Sequence, residues 1–235
     1  TEYRAKVVTG GGALVTSSPS KKGVINSGSH VRVDRVGEPV KKHYISTHKL
    51  LEDAYRLGWN IFESNYRPNW VVSILRGGAP IGIAVHELLS FLGVQSEHMA
   101  VSSTSYTRHQ QRKDPVLGYG LADLLGQLSP DDSLLIVDDV YDTGLSIKQV
   151  VDRLTEAYAL KAPTIRVATL YFKPENNQTK SAPDYYLHET NHWLVFPHEL
   201  HGLTLTEIRQ HKPEMADLIN HSAFVMQHHP FDPDP

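Results

Sequence analysis

Three carboxylates, two hydroxyls and a glycine crowd the short stretch "VDDVYDTGLS" between an apolar run and a helix-like pattern. Asp138 and Asp139 are adjacent, Asp142 follows, and Thr143, Gly144 and Ser146 close the stretch. Ionised carboxylates only accept hydrogen bonds, so a neighbouring pair suits the vicinal hydroxyls of a sugar. Gly144 permits close backbone approach, and N–H groups opening the next helix can hold an anion, aided by the helix dipole. Thr143 and Ser146 add hydroxyl donors. A phosphate beside a diol describes a ribose 5-phosphate. An acidic strand end by itself also fits a Mg²⁺ site of a receiver-like or phosphatase-like domain, or a solvated turn with an N-cap.

Further segments carry candidate chemistry. "SILRGGAPIG" ends an apolar run with Arg76, Gly77 and Gly78, whose bare backbone can approach anionic oxygens. "LYFKPENN" places Lys173 just after an apolar run, and "ETNHWLVFPHE" brings Trp193, Leu194 and Glu199. Taken singly, Lys173 reads as a surface lysine and Trp193 as a core residue. "SSTSYTRHQQRKDPVLGYG" is a long polar stretch containing Ser105 and Tyr106.

These groups need elements to position them. Ser46 is an N-cap candidate, and Leu50, Ala54, Leu57 and Ile61 recur at helical spacing. Trp70–Leu75 is a short apolar strand, and Ile81–Leu92 is a helix ended by Gly93. "HMAVSS" is a strand, as are Leu134–Val137, "TIRVATLYF" and "DYYLH"; Ile147–Leu160 is a helix. Alternating strands and helices predict an α/β fold with a mostly parallel sheet flanked by helices. In such sheets ligands sit beyond the carboxyl ends of the strands, where Asp138–Ser146 falls. Residues 1–42 read as a Gly/Ser/Lys-rich N-terminal extension with short strands around Lys6–Val8 and Val31–Val33. Residues 43–200 form the main domain. Residues 201–235 are a C-terminal extension with room for a short helix, which Pro213 interrupts.

Composition narrows the function. The 235 residues are 40% hydrophobic and 21% charged, enough for a core without staples. There is no cysteine, which excludes disulfides, thiolate zinc sites and a cysteine nucleophile, and suits a cytoplasmic setting. A net charge of −3 argues against nucleic acid as a partner. No apolar run approaches the roughly 20 residues of a membrane span. The 14 histidines are scattered, with no H-E-x-x-H.

The whole string, four apolar residues, two acids, two variable residues and Asp-Thr-Gly-x-Ser, resembles the phosphoribosyl pyrophosphate (PRPP) signature of type I phosphoribosyltransferases. "RGG" resembles the pyrophosphate loop of the same family, in which the peptide corresponding to Leu75–Arg76 is often cis. "F-K-P" and "W-L-V-F-P-H-E" are similar to patterns of the xanthine–guanine and hypoxanthine enzymes of 6-oxopurine salvage, from which His198 departs, a Trp being usual there. The resemblance runs from about Tyr44 to Glu199. It implies a small hood and a flexible flap loop that carries Ser105 and Tyr106 over PRPP. It implies Asp142 as the general base at the purine N7. It further implies Arg76, Gly77, Gly78, Asp138, Asp139, Thr143, Gly144, Leu145 and Ser146 as PRPP contacts, and Lys173, Trp193 and Leu194 as purine contacts. Mg²⁺ is the implied cofactor, met by Asp138 and Asp139 directly or through water, and by Glu199. The implied substrates are PRPP and a 6-oxopurine, the products pyrophosphate and the nucleoside 5′-monophosphate, and the implied assembly a homo-oligomer. Two rivals stay open. One is a transferase for another nucleobase, against which Asp142 argues, since orotate and adenine enzymes usually carry Ala there. The other is a PRPP-sensing regulator, whose nucleic-acid module would have to lie among Lys21, Lys22, Arg32 and Arg35.

Overall fold

The computed structural model describes residues 42–102, 120–158 and 163–220. The expected strands at Lys6–Val8 and Val31–Val33, and Ser105 and Tyr106 of the expected flap, lie outside the described residues.

Ser46 caps the first helix as its side chain predicts, accepting from the Lys49 N–H at 3.1 Å. Helix α1 (Thr47–Glu63) buries Leu50, Ala54, Leu57 and Ile61, the stripe read from the sequence. Strand β2 (Trp70–Leu75) and strand β3 (Glu97–Ser102) flank helix α2 (Gly78–Phe91). Helix α3 (Leu121–Gln127) was not expected. Gly120 takes a left-handed φ of 77° at its start, and Leu121 and Leu124 are buried. Strand β4 (Ser133–Tyr141), helix α4 (Leu145–Tyr158), strand β5 (Thr164–Phe172) and strand β6 (Tyr185–Glu189) complete the main layer.

The five strands pair in the order β3-β2-β4-β5-β6, and every pairing is parallel. Alternation along the strands divides the core. Val71, Leu135 and Val137 face α1 and α2, together with Leu57, Ile81 and Leu89. Val72, Leu134 and Ile136 face α3 and α4, together with Leu124, Val150 and Leu154. Runs buried on both faces are why β2 and β4 read as continuous apolar strings. The order reverses direction between β2 and β4, so the loops after these two strands diverge from one crevice.

Two short segments form a second, parallel pair: β1 (Lys42–Tyr44) and β7 (Trp193–Val195). Against it lie helix α5 (Leu205–His211) and helix α6 (Pro213–Asn220). Val195, Leu203 and Ile208 form their own small core, with Tyr44, Trp193, Met215 and Ile219 packed on it. Thr204 and Glu207 make a reciprocal capping box at the start of α5. Pro213 does not simply interrupt a helix. It opens α6, at the position where its missing N–H costs nothing.

Candidate active site

Strand β4 is longer than the apolar run that announced it. It continues through both acids to Tyr141, paired in register with β5 at Asp138–Thr169, Val140–Tyr171 and Tyr141–Phe172. The acids therefore sit on sheet backbone rather than on a free loop. Asp138 Oδ1 accepts from the Asp139 N–H at 2.9 Å, and Asp139 Oδ1 from the Val140 N–H at 2.7 Å. Burial, followed by the charge of Asp139, pushes the Asp138 carboxyl well above the ordinary carboxylate range. Burial, followed by the charge of Glu199, pushes Asp139 up to about 7. Both shifts come from negative charge concentrated out of water.

The loop after β2 is tighter than expected, because α2 starts at Gly78, ahead of the expected Ile81. The Leu75–Arg76 peptide is cis, as the resemblance implied. Gly77 lies against the acids: a Cβ there would stand 2.0 Å from Asp139 Oδ2. The two motifs, far apart in sequence, thus share one wall.

Beyond β4, Gly144 has a φ of +76°, and a Cβ on it would fall 2.4 Å from the Tyr141 ring. That turn brings the chain into α4, which starts at Leu145 rather than Ile147. The Thr143 hydroxyl accepts from the Leu145 N–H at 3.4 Å. Arg76, Gly77 and Gly78 after β2, and Asp142 through Ser146 after β4, therefore stand at the carboxyl ends of adjacent strands.

Lys173, which alone reads as a surface residue, is only 7% exposed. Its Nζ donates to Asp142 Oδ2 at 2.9 Å. The expected general base and the expected purine donor are therefore an ion pair. Asn176, not singled out in the sequence, donates from Nδ2 to Asp142 Oδ1 at 2.8 Å.

The segment after β7 closes on the acids from the other side. Asp139, His198 and Glu199 each bring a ligand atom within 4.8 Å of the others. His198 Nε2 is 3.8 Å from Asp139 Oδ2. Burial holds the His198 imidazole below its ordinary value, opposed by Glu199 and assisted by Lys212 and Arg76. Glu199 also accepts from the Phe196 N–H at 2.9 Å. Two carboxylates and an imidazole around one point are a donor set a divalent cation fits, since it would offset the charge that raises Asp139. His198 stands in this candidate cluster, although in the sequence it shows only as a departure from a pattern.

Trp193 and Leu194 occupy opposite faces of β7. Trp193 is half-buried beside the Val195–Leu203–Ile208 core, and Lys42 Nζ lies 5.1 Å from its ring centroid. The Leu194 side chain is buried in the main core with Phe196, so any part it takes in binding falls to its backbone.

A hypoxanthine-guanine phosphoribosyltransferase of Streptococcus pyogenes serotype M3 is 26% identical over 155 residues, covering 63% of this chain and 78% of the relative. The Streptococcus pneumoniae R6 protein of the same name is 27% identical over 153 residues, covering 62% and 77%. The crystal structure of a purine phosphoribosyltransferase from Pyrococcus horikoshii superposes with a TM-score of 0.53 at 26% identity, over 69% of this chain and 97% of that one. Residues 42–201 match the phosphoribosyl transferase domain, and the chain belongs to that family.

Proposed function

We propose that the protein transfers the 5-phosphoribosyl group of PRPP to a 6-oxopurine (hypoxanthine, guanine or xanthine), releasing pyrophosphate and the nucleoside 5′-monophosphate. The observation that carries this reading is the 2.9 Å pair of Asp142 and Lys173 beside the Thr143–Gly144 turn. It puts a proton acceptor and a cationic donor side by side, next to a phosphate cradle. A 6-oxopurine asks for both: an acceptor for the N7 proton and a donor to the 6-oxygen. The named activities of the streptococcal relatives and of the Pyrococcus protein support it.

In this reading Asp142 to Ser146 hold the 5-phosphate through backbone N–H groups and hydroxyls. Asp138 and Asp139 accept from the ribose hydroxyls. Arg76 and the backbone at Gly77 and Gly78 face the pyrophosphate. As the C1–pyrophosphate bond lengthens, the anomeric carbon becomes oxocarbenium-like. The purine nitrogen attacks it, and Asp142 receives the proton from N7. Lys173 stays on the 6-oxygen, and Trp193 offers its ring to the purine face. Asp139 and Glu199, with Asp138 alongside and His198 at the edge of the cluster, would hold Mg²⁺, which when bound would supply positive charge against the negative charge of the pyrophosphate.

The test is kcat/KM with PRPP for hypoxanthine, guanine, xanthine and adenine, in the parent protein and in Lys173→Met. The substitution keeps most of the volume and removes the charge. The parent should prefer 6-oxopurines, and the variant should lose that preference while adenine changes little. A variant that keeps the 6-oxo over 6-amino preference removes the lysine from this role. A parent active only on another base overturns the substrate.

A further inference from the structure

Asp142 is bracketed by one segment. Lys173 Nζ takes Oδ2, and Asn176 Nδ2 takes Oδ1 at 2.8 Å. Both donors leave the end of β5 in a turn closed by the Asn176 N–H on the Lys173 carbonyl at 3.2 Å. That turn is docked on the Asp142 loop at three further points. The Lys173 N–H donates to the Tyr141 carbonyl at 2.9 Å, and the Gln178 N–H to the Thr143 carbonyl at 3.0 Å. The Tyr141 hydroxyl meets Thr179 Oγ1 at 2.8 Å. Bonds at 141 and 143 anchor the turn that bears both donors, so the Asn176 amide, though exposed, reaches Asp142 from a fixed backbone.

The Asp142 side chain is 42% exposed, against 9% for Lys173. An exposed carboxylate turns about its own side-chain bonds unless both oxygens are held. The lysine alone would not suffice during the reaction proposed above, because a 6-oxopurine draws its ammonium toward the 6-oxygen. We infer that Asn176 is a positioning residue for the proton acceptor. Its amide keeps Oδ1 engaged while Lys173 is shared with the base, and so leaves Oδ2 aimed at the purine nitrogen. This inference rests on the phosphoribosyl-transfer reading of the site.

Two substitutions separate positioning from mere turn formation. Asn176→Ala removes the donor. Asn176→Asp keeps the shape and the turn-forming character, removes the donor and sets a second negative charge beside Asp142. Loss of one hydrogen bond to a charged group should lower kcat by roughly tenfold to a hundredfold in Asn176→Ala. The Asn176→Asp variant should fall further, with the Kd for PRPP by calorimetry unchanged in both. The expected order of kcat is therefore parent, then Asn176→Ala, then Asn176→Asp. A turn-only role gives the opposite order for the variants, with Asn176→Asp near the parent, and that result overturns the inference. So does an unchanged kcat in Asn176→Ala. A parent protein without turnover on any purine would instead bring down the functional reading itself, and the inference with it.

Discussion

Asp142 and Asp139 are separated by two residues and sit in different surroundings. Asp142 is exposed enough to meet a base and is held by two donors. Replacing it by Asn should leave PRPP binding intact and lower turnover by roughly 10²–10⁴-fold, the usual cost of losing a general base. Single-turnover rates beside a PRPP titration check this; an unchanged rate with weakened PRPP binding would make it a ligand contact. Asp139 is buried, and burial and Glu199 raise its carboxyl from 3.8 to about 7. A carboxyl raised on folding binds its proton more tightly in the native state than in the unfolded one. Its penalty is absent below the unfolded value of 3.8 and grows as pH rises to about 7, so native stability falls across that window. The melting temperature of the empty protein should decline over the same range, and Asp139→Asn should flatten the decline while weakening PRPP binding in Mg²⁺. Parallel melting curves for the two proteins would speak against this. In the proposed reading Trp193 offers its ring face to the base. Stacking on a base is worth roughly 1–3 kcal/mol, so Trp193→Ala should weaken all accepted purines by about 5–150-fold, without favouring one. A selective loss in KM for a single purine would point to a different contact.

At the level of elements, the segment bearing His198 and Glu199 depends on the C-terminal helices. Lys212, at the junction of α5 and α6, is 3% exposed. Its ammonium donates to the Phe196 carbonyl at 2.7 Å and to the Pro197 carbonyl at 2.9 Å. Burial lowers its proton affinity, against the pull of Glu199 and Glu214. From the other side, Glu207 of α5 accepts from Lys42 Nζ at 2.6 Å and from the Tyr44 hydroxyl at 2.9 Å. These bonds, with the small core beneath, tie β1, β7, α5 and α6 into one unit. Lys212→Met should leave the Pro197 carbonyl without this donor, while the Phe196 carbonyl keeps the Glu199 N–H at 3.0 Å, and cost about 1–3 kcal/mol by denaturant titration. Metal-dependent PRPP binding should weaken with it, because Glu199 follows Pro197 by two residues. Unaltered stability would mean that other bonds hold the 196–199 segment.

Across the whole molecule, the candidate site from Arg76 through Lys173 is assembled by the order of one sheet, and the segment after β7 of the second pair adds His198 and Glu199. Strands β2 and β4 are neighbours although β3 lies between them in sequence, and that crossing sets the Arg76–Gly77 loop against Asp139. β5 then lies beside β4 and carries Lys173 to Asp142. Among the described residues no helix is long and apolar enough to cross a membrane. A ligand that bridges these loops binds only the folded arrangement. PRPP with Mg²⁺ at a hundred times its Kd should therefore stabilise the protein by about 2.7 kcal/mol, seen as a rise in melting temperature. Asp138→Asn should blunt that rise, and an equal rise in parent and variant would remove Asp138 from the ribose contact.

What the sequence determined by itself is what neighbouring residues dictate to one another. An apolar string buried on both faces, an acid pair and Thr-Gly before a helix are contiguous, so the β4–α4 loop was legible, as were the α1 stripe and its Ser46 cap. The Arg-Gly-Gly turn was legible for the same reason, down to the cis Leu75–Arg76 peptide that its resemblance implied. What only the tertiary structure decided is which distant groups meet. The pairing of β1 with β7 rests on three residues from each strand, too few to show a period. Helix α3 is a single short element whose only marks are two buried leucines. Lys173 became a buried partner of Asp142, Asn176 its second donor, and His198 a neighbour of Asp139, through parallel crossovers and packing. No local spacing encodes those contacts, because each joins residues whose separation is set by the fold and not by the pitch of a helix or the pleat of a strand.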